Sequence, residues 1–91
     1  MTVIDDAPRT TYTPRMHRRH EIVTDAGMDG VLRIGAALAT CGFPVRDFAA
    51  DVREGIHYSS VTCTVSLTGS ECSAFAEQLG SVQSVVAVTP C

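Results

Sequence analysis

The sequence contains no tryptophan, and only 5% of its residues are aromatic. Since 45% of the residues are nevertheless hydrophobic, the core must be built from valine, leucine, isoleucine and alanine. A chain of 91 residues makes one domain, near the small end of what folds without disulfides or metals. We therefore expect a thin core and association with a partner, or with a second copy, that buries further apolar surface.

Long apolar runs are also missing. No stretch approaches the roughly 20 residues that a membrane span needs, and the first residues, MTVIDDAPRT, lack the apolar segment of a signal peptide. These absences predict a cytoplasmic protein with free thiols. The net charge of −3 argues against a nucleic-acid partner. Five of the six residues from Arg15 to His20 are basic, and such a cluster can contact phosphate, although a solvated strand edge is the commoner role.

The four cysteines include no CxxC pair and no tight group with histidine, which argues against a metal site. His17 and His20 are three residues apart, so on a strand they would point to opposite faces. A catalytic thiol requires a nearby base that is oriented by a third group. The sequence around the cysteines supplies no such arrangement. We interpret Cys41, Cys63 and Cys72 as small buried apolar residues. The residue pattern thus predicts no catalytic cysteine, no metal and no cofactor.

The stretch from Asp25 to Phe43 is interpreted as a loop, an amphipathic helix and a stop. Asp29 is the predicted N-cap of the helix, while Gly42 and Pro44 end it. Gly35 on the buried face predicts a close approach to a sheet. The apolar face of the helix follows the helical spacing and consists of Val31, Ile34, Gly35, Leu38 and Cys41.

Four strands complete the pattern. Residues 1–14 show no periodicity and predict a flexible tail, followed by one domain over residues 15–91. The second strand changes parity, which predicts a bulge near Asp47. The third alternates apolar and hydroxyl residues, as in a sheet covered on one face only. A second helix is predicted from its N-cap Ser70 to Gly80, with Cys72, Phe75, Ala76 and Leu79 buried. The predicted strands are 21–24 (or, with an earlier start, 16–24), 43–52, 58–67 and 82–88.

The element order β–α–β–β–α–β predicts an α+β protein of the ferredoxin-like class, with two helices on one face of a four-stranded antiparallel sheet in the order 4-1-3-2. This fold alone names no function. A copper chaperone would need cysteines in the loop 25–30, and an acyl-phosphate hydrolase would need an arginine there. An RNA-recognition domain stacks bases on aromatic residues of the open face, where the third strand offers only Tyr58.

The stretch HEIVTDAGMDGVLRIGAALATCGFPVRDFAA resembles an ACT domain, a small regulatory module that binds amino acids. The matching features are a short strand, an acidic and glycine-bearing loop ending in DGVL, a helix, and CGF before the second strand. The segments VLRIGAALATCGF and EQLGSVQSVVAV are most similar to the small regulatory subunits of acetohydroxyacid (acetolactate) synthase. The resemblance covers about residues 16–89, and its motifs are loose.

The resemblance implies a homodimer with an amino-acid effector bound between the two copies, beside the loop before the first helix. Gly30 would permit close approach, and Asp25 or Asp29 would take the ligand ammonium; alternatively, Asp29 only caps the helix and Gly30 only turns the chain. The implied contact residues are Asp25, Ala26, Gly27, Met28, Asp29, Gly30, Val31 and Leu32.

The function implied by the resemblance is that of a non-catalytic subunit. It would dock on the large catalytic subunit of acetolactate synthase and act in branched-chain amino acid biosynthesis, with no nucleic-acid or membrane partner. One alternative is a free-standing dimeric sensor of an amino acid or small metabolite. Another is a small ferredoxin-like enzyme or metal chaperone.

Overall fold

The computed structural model describes residues 14–91, so the predicted tail over residues 1–14 lies outside the described residues except for Pro14. The predicted order of elements and the ferredoxin-like fold are confirmed. The four strands form one antiparallel sheet in the order β2-β3-β1-β4, as predicted. The elements are β1 Met16–Thr24, α1 Gly27–Ala39, β2 Val45–Asp51, β3 Ser59–Leu67, α2 Gly69–Gly80 and β4 Val85–Pro90.

The core lies between the two helices and one face of the sheet. Phe75 and Leu79 of α2 are fully buried there, and Cys41 just after α1 is buried as predicted. The alternating apolar residues of β3 are all inaccessible to solvent, whereas its hydroxyl residues face away from the helices. The remaining buried apolar residues are Ile22, Val31, Ile34, Leu38, Val61, Cys63, Val65 and Leu67.

The open face of the sheet is less solvated than its hydroxyl pattern predicts. Thr64 and Ser66 of β3 are only 9% and 7% exposed. The reason lies in the register: Thr64 stands between Arg19 of β1 and Arg46 of β2, and Ser66 stands opposite His17. Small hydroxyl side chains beside long ones lose most of their contact with solvent.

The prediction that Asp29 caps α1 is wrong. The helix begins earlier, at Gly27, with Ala26 as the N-cap residue and no side-chain cap among the described residues; Asp29 lies inside the first turn. Gly27 has φ +60°, a left-handed conformation that glycine adopts without strain. At the other end, α1 stops at Ala39, and Gly42 then takes the expected left-handed conformation at φ +88°.

The prediction that Ser70 caps α2 is also wrong, because Thr68 is the N-cap. The Thr68 hydroxyl accepts a hydrogen bond from the Glu71 N–H at 3.3 Å, and the Glu71 carboxylate accepts one from the Thr68 N–H at 3.0 Å. This reciprocal capping box satisfies two otherwise free N–H groups. It therefore places the start of α2 two residues before the predicted position.

The edge strands differ from prediction mainly in their ends. The bulge in β2 is confirmed: the register shifts between Arg46 and Ala49, and Asp47 has φ +57°. The last strand was predicted to end at residue 88, but β4 extends to Pro90. Because β4 is an edge strand, a proline without an N–H is tolerated there.

The basic cluster lies on β1, which is a central strand and not the solvated edge that its charge suggested. His17 and His20 do point to opposite faces. His20 is buried and packs edge-on against Phe75, with the ring centroids 4.8 Å apart. Neither helix in the described part of the chain is long and apolar enough to cross a membrane.

The close approach between a helix and the sheet occurs at Gly30 and not at Gly35, where it was predicted. A Cβ added to Gly30 would overlap Thr24 Oγ1 and lie 2.8 Å from Thr24 Cβ and Cγ2. A Cβ added to Gly35 would meet only Phe48 Cζ, at an ordinary 3.7 Å. The first turn of α1 therefore rests directly on the end of β1.

We expect Gly30→Ala and Gly35→Ala, one helical turn apart, to change stability in opposite directions. Gly30→Ala should lower the free energy of unfolding by about 1–3 kcal/mol or more, because the new methyl group overlaps a buried side chain. Gly35→Ala should raise it by about 0.5–1 kcal/mol, because alanine favours the helix and fits. Urea denaturation measures both; equal effects would contradict the assigned packing.

Candidate functional site

The loop between β1 and α1 is tied to the bend before β4. Thr24 Oγ1 accepts a hydrogen bond from the Ala26 N–H at 3.1 Å and lies 3.0 Å from Ser84 Oγ, with which it shares a second hydrogen bond. The Asp25 N–H donates to the Ser84 carbonyl at 3.1 Å. Ser84 itself has φ +77°. The loop is thus held in shape by a residue 60 positions away in the sequence.

The eight predicted contact residues divide into two groups. Gly30 and Val31 are buried, and Gly30 faces Thr24, so these two belong to the core of the isolated chain. The other six are at least partly accessible to solvent, and they form the loop and the outer side of the first helical turn: Asp25, Ala26, Gly27, Met28, Asp29 and Leu32. A ligand-binding role for these eight residues stays a prediction.

The accessible part of the loop combines free N–H groups with carboxylates. No described side chain caps the first turn of α1, where N–H groups carry a partial positive charge. Asp25 and Asp29 are exposed, and neither forms an ion pair with any residue of the 14–91 range. The backbone N–H groups can donate hydrogen bonds to a carboxylate, and the two aspartates can accept hydrogen bonds from an ammonium group. This combination of donors and acceptors suits a zwitterion whose ammonium lies towards the aspartates.

In one copy of the chain this loop is an open surface. Met28 and Leu32 are 55% and 63% exposed. A groove of about 520 Å³ lies between α2 and the start of β1, and one of about 290 Å³ lies between α2 and β4; no residue of the loop lines either groove. Because small-molecule sites bury most of the ligand surface, a ligand at the loop needs a further surface to cover it.

Arg15 of the basic cluster is bound to the start of α2. Its guanidinium lies 3.0 Å from the Glu71 carboxylate and donates to the Ser66 carbonyl at 2.9 Å. The pKa of Glu71 is lowered, first by the hydrogen bond from the Thr68 N–H and then by the hydrogen bond from Arg15. This pair joins β1, β3 and α2 at one end of the sheet.

The Cys63 thiol is unsuited to catalysis or metal binding. Its pKa is raised to about 11, first by burial and then by nearby Cys41 and Cys91. A thiol of this kind stays protonated at neutral pH, whereas nucleophiles and metal ligands need the thiolate. Within residues 14–91 no group of three or more histidine, cysteine, aspartate or glutamate side chains could hold a metal ion. Cys41 and Cys63 are buried as predicted, and Cys72 is partly buried.

Comparison with solved structures identifies the type of fold. The crystal structure of the ACT domain from GTP pyrophosphokinase of Chlorobium tepidum matches with a TM-score of 0.72, at 11% identity, over 86% of this chain and 100% of that chain. The solution NMR structure of the same domain matches with a TM-score of 0.74, at 12% identity, over 85% of this chain and 86% of that chain. The fold is that of an ACT domain. No family model and no curated protein matches the sequence.

Sequence reasoning located the loop of this ACT fold but missed Thr24 and Ser84, which hold it. Thr24 ends a strand, and Ser84 lies in a polar stretch before another. Neither belongs to a recognisable motif. Their contact links the end of β1 to the residue before the edge strand β4, 60 positions away, and no local pattern in the sequence signals such a pairing.

Replacing Thr24 by valine tests the anchoring of the loop. The change keeps the side-chain shape but removes the acceptor for the Ala26 N–H and the partner of Ser84. We expect the free energy of unfolding to fall by about 1–3 kcal/mol, with faster hydrogen exchange at the Ala26 amide. Thr62→Val on the open sheet face is the control and should change stability by less than about 0.5 kcal/mol. Unchanged exchange at Ala26 would contradict the anchoring role.

The lowered pKa of Glu71 predicts a pH-dependent effect of Glu71→Gln. A lowered folded-state pKa stabilises the fold above the ordinary glutamate value of 4.5, and this contribution is lost as the pH falls through the folded-state pKa. Wild type should therefore be more stable than the variant near pH 7, and the difference should vanish in acid. Glu77→Gln, an exposed change on the same helix, is the control. A difference that persists at pH 2 in urea denaturation would contradict this account.

Proposed function

We propose that this chain is a non-catalytic regulatory subunit that pairs with a second copy and binds an amino-acid effector at the β1–α1 loop. Its partner is the large catalytic subunit of an amino-acid biosynthetic enzyme, acetolactate synthase. The observation that carries the proposal is the ACT fold with an exposed, glycine-bearing first turn flanked by two carboxylates. The sequence resemblance to the synthase small subunits selects the enzyme.

The edge strand β4 supports pairing with a second copy. Val86 on this strand is 49% exposed, and a groove of about 290 Å³ runs along it. The other edge strand, β2, carries the charged residues Arg46, Asp47 and Asp51, which oppose strand pairing. The apolar edge is therefore the better surface for a partner. The groove is lined by Ala76, Gly80, Val85, Val86, Ala87 and Val88.

Pairing through β4 would also complete the ligand site. The β1–α1 loop is hydrogen-bonded to Ser84, immediately before β4. A second copy seated on β4 would therefore lie beside the loop and could cover the open surface around Met28. This geometry is the physical reason for assigning the effector to a dimer and not to a single chain.

The proposed regulation is thermodynamic. An effector shifts an enzyme between two states only if it binds them with different affinity. If the effector sits between two copies, its binding changes how those copies are held together, and this alters the surface presented to the enzyme. The thiamine and flavin chemistry of the synthase belongs to the catalytic subunit.

The main alternative is a free-standing dimeric sensor of an amino acid or small metabolite, which shares the loop and the dimer but not the enzyme. A small ferredoxin-like enzyme or metal chaperone is less favoured, because the buried Cys63 thiol has a raised pKa. Metal analysis of the purified protein together with thiol titration separates this last class from the others.

Calorimetric titration with each of the twenty amino acids tests the effector site. We expect at least one to bind, and Asp25→Asn or Asp29→Asn to weaken its binding about tenfold, because a charged hydrogen-bond partner of the ammonium is lost. Asp51→Asn, at an exposed position on β2, is the control and should bind normally. Binding that is indifferent to all three substitutions would place the site elsewhere.

Co-purification tests the partner. A tagged chain should bring down the large synthase subunit, and adding it to that subunit should change the catalytic rate. Isolation without any such subunit, and with no change in the rate, would favour the free-standing sensor.

A further inference from the structure

Arg18 is a partly buried cation that forms no ion pair with any residue of the 14–91 range. It lies on β1 opposite Val65, so it occupies the side of the sheet that the helices cover. Its Nε is shielded from solvent and has no hydrogen-bond partner among residues 14–91. Its Nη2 has only a weak contact with Met16 Sδ, at 3.8 Å. Since buried polar groups are almost always satisfied, the Nε–H of Arg18 calls for an acceptor.

The neighbouring acid is already engaged. Glu71, at the start of α2, accepts from Arg15 and from the Thr68 N–H. The other ion pairs within the described residues join side chains of β2 and the turn after it. None of these ion pairs includes Arg18, so within the described part of the chain its guanidinium is not paired with a carboxylate, and its Nε–H is available to an external acceptor.

A groove opens beside Arg18 because β4 is short. The strand pairs with β1 only from His20 onwards, although β1 begins at Met16. The space left between the start of β1, the end of β4 and α2 measures about 520 Å³. Arg18 and His20 contribute to it from the covered face of the sheet, and His17 and Arg19 from the open face. Cys72, Ala76 and Pro90 line its apolar side, and no aspartate or glutamate of residues 14–91 contributes to it.

We propose that this groove binds the phosphate group of a small organic phosphate monoester, with Arg18 as the principal ligand. The planar guanidinium offers parallel N–H donors that match two phosphate oxygens. A doubly charged phosphate also attracts the guanidinium more strongly than a singly charged carboxylate does, and the apolar wall fits an organic group attached to the phosphate. The groove lies about 20 Å from the β1–α1 loop, given six residues of extended strand, so this inference is independent of the effector site proposed above.

The test is a nuclear magnetic resonance titration of the full-length protein with phenyl phosphate, inorganic phosphate and benzoate at constant ionic strength. Phenyl phosphate should shift the amides of residues 16–20, 72, 76 and 90–91, and it should bind more tightly than the other two probes. Arg18→Gln should weaken the binding of phenyl phosphate at least tenfold. Arg33→Gln, at an exposed position on α1, should not. If Arg18→Gln fails to fold, Ala76→Leu, which fills the apolar side, should also abolish binding.

Four results would overturn the proposal. They are equal or tighter binding of inorganic phosphate or benzoate, unchanged affinity in a folded Arg18→Gln variant, shifts confined to the β1–α1 loop, and binding that appears only when Asp5 and Asp6 are replaced by asparagine. The last result would mean that the chain's own acidic residues serve as the anion for Arg18.

Discussion

The contact between Gly30 and Thr24 determines the geometry on which the rest of the structure depends. The first turn of α1 lies so close to the end of β1 that no side chain fits at Gly30. The same threonine accepts the Ala26 N–H and is hydrogen-bonded to Ser84 at the entry to β4. One buried residue thus sets the start of a helix, the shape of the loop before it and the position of the edge strand.

The two ends of β1 carry opposite chemistry. At its carboxyl end, the loop exposes Asp25 and Asp29 beside uncapped N–H groups. At its amino end, the basic cluster lies next to a groove, where Arg15 is neutralised by Glu71 and Arg18 is not paired with any described residue. We propose that this central strand separates a zwitterion-binding surface from an anion-binding groove, so that different ligands bind at opposite ends of the same sheet.

Periodicity was enough to predict the succession of elements, the buried faces and the bulge at Asp47, because each depends on neighbours a few residues away. The helix starts were harder. Asp29 and Ser70 are good N-caps in isolation, yet Gly27 with its left-handed backbone and the Thr68–Glu71 capping box begin the helices earlier.

The β1–α1 loop could be located in the sequence from its glycines and aspartates, but the interactions that hold the loop could not. The Thr24–Ser84 and Arg15–Glu71 contacts join residues 60 and 56 positions apart, and sequence patterns carry no information on such pairs.

We propose that the β1–α1 loop, which is open in one copy, becomes a binding site only between two copies. Native mass spectrometry of the protein with its calorimetrically identified amino acid tests this most directly. We predict that the amino acid is carried by dimers and is absent from monomers in the same spectrum. Monomers that carry the amino acid at the same occupancy as dimers would contradict the account.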